Sequence, residues 1–238
     1  MTLEFRDRAN ASSWALDPGH KGPCAVYMKK VESAVASNNA AGDGWFKIWE
    51  STYDEGAKKW GTQKMIDNNG HISVNIPKGI EGGYYLVRSE ILSLHAAHDK
   101  PPNPQFFVGC AQIYHASSGT AKPPTVAIGE GSYNLNMPGV TYNIYATPLA
   151  LPYPMHGPPV YNGDTKTKEK RLPDAEEKKD GGQTEGLKPA GCILERDNWC
   201  AFEVPDYKTE KGCWDVSGIF VFFVFLRTAP CLFDRIAY

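Results

Sequence analysis

The residues best suited to metal or redox chemistry in this 238-residue sequence are its six histidines and six cysteines. Their spacing rules out several arrangements. His95 and His98 stand three residues apart, whereas a zinc helix of the H-E-x-x-H kind needs histidines four apart with a glutamate beside the first, and neither condition is met. A helix over 89–98 would meet no breaker, so it remains the rival to a strand there. Cys24, Cys110, Cys192, Cys200, Cys213 and Cys231 form no C-x-x-C pair, which argues against a zinc ribbon. Three of them crowd a short C-terminal segment, as in secreted disulfide modules. His20 lies in the turn-rich loop from Trp14 to Pro23, and a lone histidine in a loop is ordinarily a solvated side chain. Glu90 is the best candidate acid for a hydrolase built on paired carboxylates. No second carboxylate stands out, and Arg88 nearby favours a structural ion pair.

The element that positions most of these groups runs from Tyr84 to Ile113. Leu86, Arg88, Glu90, Leu92 and Leu94 alternate with Tyr85, Val87, Ser89, Ile91, Ser93 and His95. Neither set is purely polar, which is the pattern of a strand between two packed layers, with His95 closing it at the mouth of a proline-rich loop. Residues 2–6, Cys24 to Val31, Gly44 to Glu50, Ala111 to His115, Val126 to Ile128 and Tyr142 to Ala146 also read as strands. Tyr53 to Gln63 reads as an exposed excursion. Asn68-Asn69-Gly70 reads as a turn that leads into a strand ending near Ile76.

The length suits one domain of about 150–200 residues with an appendage. A net charge of −2 gives no electrostatic case for nucleic acid or an acidic membrane. With 23 glycines, 18 prolines and 12% aromatic residues, short strands joined by turns fit better than helices. From 162 to 182 the chain is dense in charge and nearly free of apolar residues, as a solvated linker would be. Residues 183–214 carry three of the cysteines. The tail at 215–238 contains an apolar run, Gly218 to Leu226, that is too short to span a bilayer. It reads either as a retained intron or shifted frame, or as an odd buried strand. The N-terminus, MTLEFRDRANASSW, lacks the apolar core of a signal peptide.

Leu86, Arg88, Glu90, Leu94, His95 and Ala97, followed by Gln105, Phe106, Cys110, Ala111, Gln112 and Ile113, form an ordered set. That set resembles the fungal lytic polysaccharide monooxygenases of auxiliary activity family 9, formerly glycoside hydrolase family 61. The loop Asp17 to Pro23 with the strand after it, Gly44-Trp45-Phe46-Lys47-Ile48-Trp49-Glu50, and Tyr153 followed by Gly157-Pro158-Pro159 are similar to further segments of the family. Met155-His156 stands where the family has proline.

The resemblance implies an all-β fold, an antiparallel immunoglobulin-like β-sandwich with long loops, spanning 1–161 and short of its first strands. It implies one copper ion held by a histidine brace, with His20 as the second histidine ligand and Phe107 at the axial position where the family has tyrosine. His95 and Gln105 would be the catalytic histidine and glutamine beside the metal, and Tyr153 a sugar-stacking residue. The first ligand would be an N-terminal histidine, for which Met1 supplies no imidazole. Cys110 would likewise lack its partner. The implied function is oxidative cleavage of cellulose or a related β-glucan with an external electron donor, by a secreted, monomeric protein of which this chain is an incomplete form. The alternative is a non-catalytic relative that binds polysaccharide without the brace.

Overall fold

A computed structural model describes residues 1–7, 14–33, 40–129, 131–163, 194–196, 199–202, 220–221 and 223–227, the last four stretches as backbone. Eleven strands and one short helix are described: β1 Thr2–Arg6, β2 Cys24–Val31, β3 Gly42–Ser51, α1 Gly61–Asp67, β4 His71–Ser73, β5 Glu81–Ser93, β6 Gln105–Ser118, β7 Val126–Ile128, β8 Leu194–Arg196, β9 Trp199–Phe202, β10 Phe220–Val221 and β11 Phe223–Arg227. They form two sheets. The larger runs β7-β3-β2-β5-β6-β9-β8, with β10 lying parallel beside β6, and the smaller runs β11-β1-β4. Apart from β10, the pairings in both sheets are antiparallel.

β5 is the centre of the larger sheet, paired from Tyr84 to Ile91 with β2 on one side and along nearly its whole length with β6 on the other. Its alternation sorts side chains into two layers. Tyr85, Val87 and Ile91 pack with Leu3, Phe5 and Ile72 of the smaller sheet, which makes the sandwich interior. Leu92, with Phe106 and Val108 of β6, faces the other way and is covered by Trp60, Val140, Tyr142 and Tyr153 from outside the strands. The strand between two packed layers is therefore observed, and the helical alternative over 89–98 is not. Burial of each large apolar side chain in such a layer stabilises by about 1.5–3 kcal/mol, so a strand buried on both faces anchors the domain.

Two expectations fail. The supposed exposed excursion at 53–63 contains the start of α1, where Gln63 accepts the backbone N–H of Trp60 and where Trp60, Thr62 and Met65 are buried. Tyr142 to Ala146 is a turn: the Asn143 side chain accepts the Tyr145 N–H at 2.9 Å, and the Asn143 carbonyl takes that of Ala146. This local asparagine chemistry competes with strand pairing. The strand expected up to Ile76 shortens to β4, and that at 111–115 extends into the whole of β6.

Most of the expected linker, residues 164–182, lies outside the described residues. So do 183–193, 197–198 and 203–214 of the cysteine-bearing segment, while its β8 and β9 extend the large sheet from β6. Within the tail, β11 pairs with every residue of β1 from Thr2 opposite Arg227 to Arg6 opposite Phe223. Residues 215–219, 222 and 228–238 lie outside the description.

Candidate functional site

His20 is delivered by a loop with little freedom. The Asp17 side chain accepts the Gly19 N–H at 2.7 Å, the Asp17 carbonyl accepts that of His20, and the Gly19 carbonyl accepts that of Lys21. These are the local bonds of a tight aspartate turn. Beyond it, Lys21 and Pro23 carbonyls accept N–H groups of Leu94 and Leu92, so the loop runs as an extension along the end of β5. Gly22 exchanges hydrogen bonds with Thr62 of α1: its N–H donates to the hydroxyl at 3.0 Å and its carbonyl accepts the Thr62 N–H at 3.1 Å. The helix absent from the sequence reading is thus a brace for the His20 loop.

His95 follows β5 and is held by Ser93, whose hydroxyl lies 2.7 Å from His95 Nδ1. The His20 and His95 rings stand with centroids 4.8 Å apart, tilted by 43°. Phe107 completes the group, its ring centroid 5.3 Å from that of His20. In the β5–β6 register Phe107 is opposite Ile91 and Gln105 is opposite Ser93. Strand alternation therefore puts Gln105 on the same side of β6 as Phe107, next to the serine that holds His95. His20 and His95, far apart in sequence, meet with Phe107 between loop and strand.

The His20 imidazole is held below its ordinary pKa, first by burial and next by His95, with Asp17 opposing. Its Nδ1 is buried and makes no hydrogen bond among the described residues. A neutral imidazole with an unengaged nitrogen is the form that ligates a metal ion. His20 thus fits a copper ligand. Among the described residues no group of three or more His, Cys, Asp or Glu side chains converges, so the remaining ligands of a brace would have to come from elsewhere.

Tyr153 does not present a free face. It is 7% exposed, meets Trp60 and Tyr142 edge-on at 5.2 and 5.1 Å, and donates its hydroxyl to the Gly139 carbonyl at 2.5 Å. A ring enclosed in this way stiffens its loop, and the sugar-stacking role is not available to it in this packing. Exposed His98 instead lies 5.4 Å from the ring of Tyr145, a residue 58% exposed.

Glu90 is buried in a network. Arg88 Nε donates to it at 2.7 Å, and Tyr133 donates its hydroxyl at 2.8 and 2.9 Å to the two carboxylate oxygens. Burial alone would raise the Glu90 pKa, but Arg88 and then His156 outweigh it and hold the carboxyl down at about 2. A carboxyl held down in this way is a poor proton donor near neutrality, so Glu90 does not suit a general-acid role. Cys24 is a buried free thiol, while Cys110, against the expectation that it lacks a partner, is engaged.

Sequence reasoning missed Thr62, Ser93 and Tyr133. Ser93 stands two residues before His95, near enough in sequence for its hydroxyl to reach the ring just past the end of β5. Thr62 and Tyr133 act across long separations that no local pattern records.

Residues 1–153 match the model of Auxiliary Activity family 9 (formerly GH61). Among curated proteins, the AA9 family lytic polysaccharide monooxygenase C of Aspergillus tamarii is 60% identical over 215 residues, covering 90% of this chain and 58% of that protein. The AA9 family lytic polysaccharide monooxygenase H of Botryotinia fuckeliana is 47% identical over 222 residues, covering 92% of this chain and 50% of that protein. The chain therefore spans little more than half the length of these relatives. Of the solved structures, CvAA9A superposes with a TM-score of 0.60 at 27% identity over 67% of this chain and 71% of that one. A cellulose-active polysaccharide monooxygenase from M. thermophila gives 0.51 at 36% identity over 59% and 65%. With its β-sandwich and a family match that covers more than half of its length, the chain belongs to Auxiliary Activity family 9.

Proposed function

We propose that this chain carries the greater part of a copper-dependent lytic polysaccharide monooxygenase that cleaves cellulose or a related β-glucan oxidatively. The observation that supports this most is the meeting of His20, His95 and Phe107, brought together from a loop, a strand end and the neighbouring strand. The copper ion, when bound, would supply activation of dioxygen or peroxide with electrons from an external donor, for hydrogen abstraction at C1 or C4 of the glucan.

The chain's own residues have distinct parts in this reading. His20 holds the metal through a neutral imidazole. His95, oriented by Ser93, and Gln105 offer hydrogen-bonding groups on the same face and orient small polar species there. Phe107 gives an apolar wall where a tyrosine would give a phenol oxygen. We read the protein as secreted and monomeric, with disulfides among its cysteines. On the resemblance the remaining brace nitrogens belong to an N-terminal histidine.

The test is calorimetric titration with copper(II) under anaerobic conditions, on the chain and on a version extended by an N-terminal histidine region. One-to-one binding by the extended version, lost in its His20→Ala variant, supports the reading; equal affinity in that variant overturns it. Oxidised soluble glucans should form from cellulose only with copper and reductant. Cellulose retention that a chelator leaves unchanged, with no products, would assign the chain to the non-catalytic polysaccharide binders instead.

A further inference from the structure

His156 occupies a position where the family resemblance calls for proline, and its ring turns inward. The side chain is 2% exposed, and neither ring nitrogen makes a hydrogen bond among the described residues; Nε2 lies 3.6 Å from Glu90 Oε2. What the ring does make is edge contact. It meets Phe106 at 5.5 Å and 82° and Tyr133 at 5.1 Å and 79°, while Tyr133 lies flat on Phe106 at 4.8 Å and 9°. Phe106 is thus boxed by two rings that both reach the same carboxylate. The backbone behind His156 is fixed as well, since its carbonyl accepts the buried Lys47 ammonium at 2.9 Å.

Phe106 sits between Gln105 and Phe107. Successive side chains of a strand point to opposite faces, so the rotation that seats Phe106 at the back also sets its two neighbours at the front, where Phe107 meets His20. The two packing clusters show this division, with Phe106 in the outer layer and Phe107 in the sandwich interior. We propose that His156 is a positioning residue for the copper-facing segment 105–107, acting through the ring box around Phe106. The role in catalysis rests on the function proposed above; the mechanical coupling does not.

The experiment uses the full, metal-free, isotope-labelled chain and reads the nuclear Overhauser cross-peaks between the Phe107 and His20 rings. His156→Leu fills the space without a flat edge, and His156→Phe restores the edge without the approach to Glu90. The expected result is a loss of at least half the cross-peak intensity in His156→Leu and recovery in His156→Phe. Unchanged cross-peaks in a folded His156→Leu protein overturn the proposal, because the residue is then only a loop filler. Equal loss in both variants overturns it too, since the Glu90 contact rather than the ring box would set the segment. If His156→Leu fails to fold, His156→Met takes its place in the same comparison. Absence of copper binding by the extended chain would defeat the functional reading while leaving these cross-peaks to decide the coupling.

Discussion

Gly22 lies so close to β5 that a Cβ on it would stand 1.8 Å from the carbonyl oxygen of Leu92. No side chain can relieve that contact, because the obstacle is backbone paired within the central sheet. The approach is what brings His20, two residues earlier, against His95, three residues beyond Leu92.

Gly22→Ala should therefore push the loop from the strand and part the two histidines. Overpacking of this kind costs about 1–3 kcal/mol. Thermal unfolding should show the loss. Copper titration of the extended chain should show weakened affinity even in the fraction that stays folded, which an effect on stability alone would not give.

The strands and their facing were legible because period-2 alternation is a local property. Arg88 and Glu90 share the Leu92 side of β5, as the alternation requires, while His95 lies just past the end of the strand and contacts Ser93. The assembly of the site was readable only through family resemblance, since nothing local to His20 foretells His95. In the structure the two rings stand 4.8 Å apart. What escaped was long-range support. Tyr133 closes on Glu90 from another layer, and Thr62 holds Gly22 from a helix whose short sequence lacks strong periodicity. The packing of Tyr153 was not legible, because a tyrosine among prolines looks the same in sequence whether its ring faces water or Trp60.

Glu90 makes the fold sensitive to acid. Its folded pKa of about 2 lies below the ordinary 4.5, so the carboxylate contributes stability that is fully present above about pH 4.5 and is lost as pH falls toward 2. Glu90→Gln should flatten that part of the stability profile. It should also lower stability at neutral pH by about 3–5 kcal/mol, because the buried Arg88–Glu90 pair would lose one of its two charges. Denaturant melts of both proteins between pH 2 and 7 check the sign. A Glu90→Gln profile parallel to that of the unaltered chain would refute it.

Cys24 offers a probe of β2. Burial pushes its thiol well above the ordinary thiol range, and the residue is enclosed in the sandwich interior. Thiolate is the reactive form, so Cys24 should resist a thiol reagent at pH 8 in the native chain and react once denaturant opens the sheet. Peptide mapping of the labelled product identifies the site. Rapid native labelling at Cys24 would mean that β2 opens far more readily than its pairing with both β3 and β5 implies.

Tyr153 separates stability from binding. Its hydroxyl bond to the Gly139 carbonyl should be worth about 0.5–1.5 kcal/mol, which Tyr153→Phe would remove while keeping the ring between Trp60 and Tyr142. Tyr153→Ala would empty that space at a cost of about 3–5 kcal/mol. If the buried packing persists when substrate is present, cellulose affinity measured per folded molecule stays unchanged in Tyr153→Phe and falls in Tyr153→Ala only as the loop loosens. Tyr145→Ala, at an exposed ring beside His98, should leave stability within about 0.5 kcal/mol of the starting chain and thereby isolate any contribution to binding. A steep loss of affinity in Tyr153→Ala with undiminished stability would show that the ring swings out to meet the sugar. The burial of Tyr153 would then describe only the resting loop.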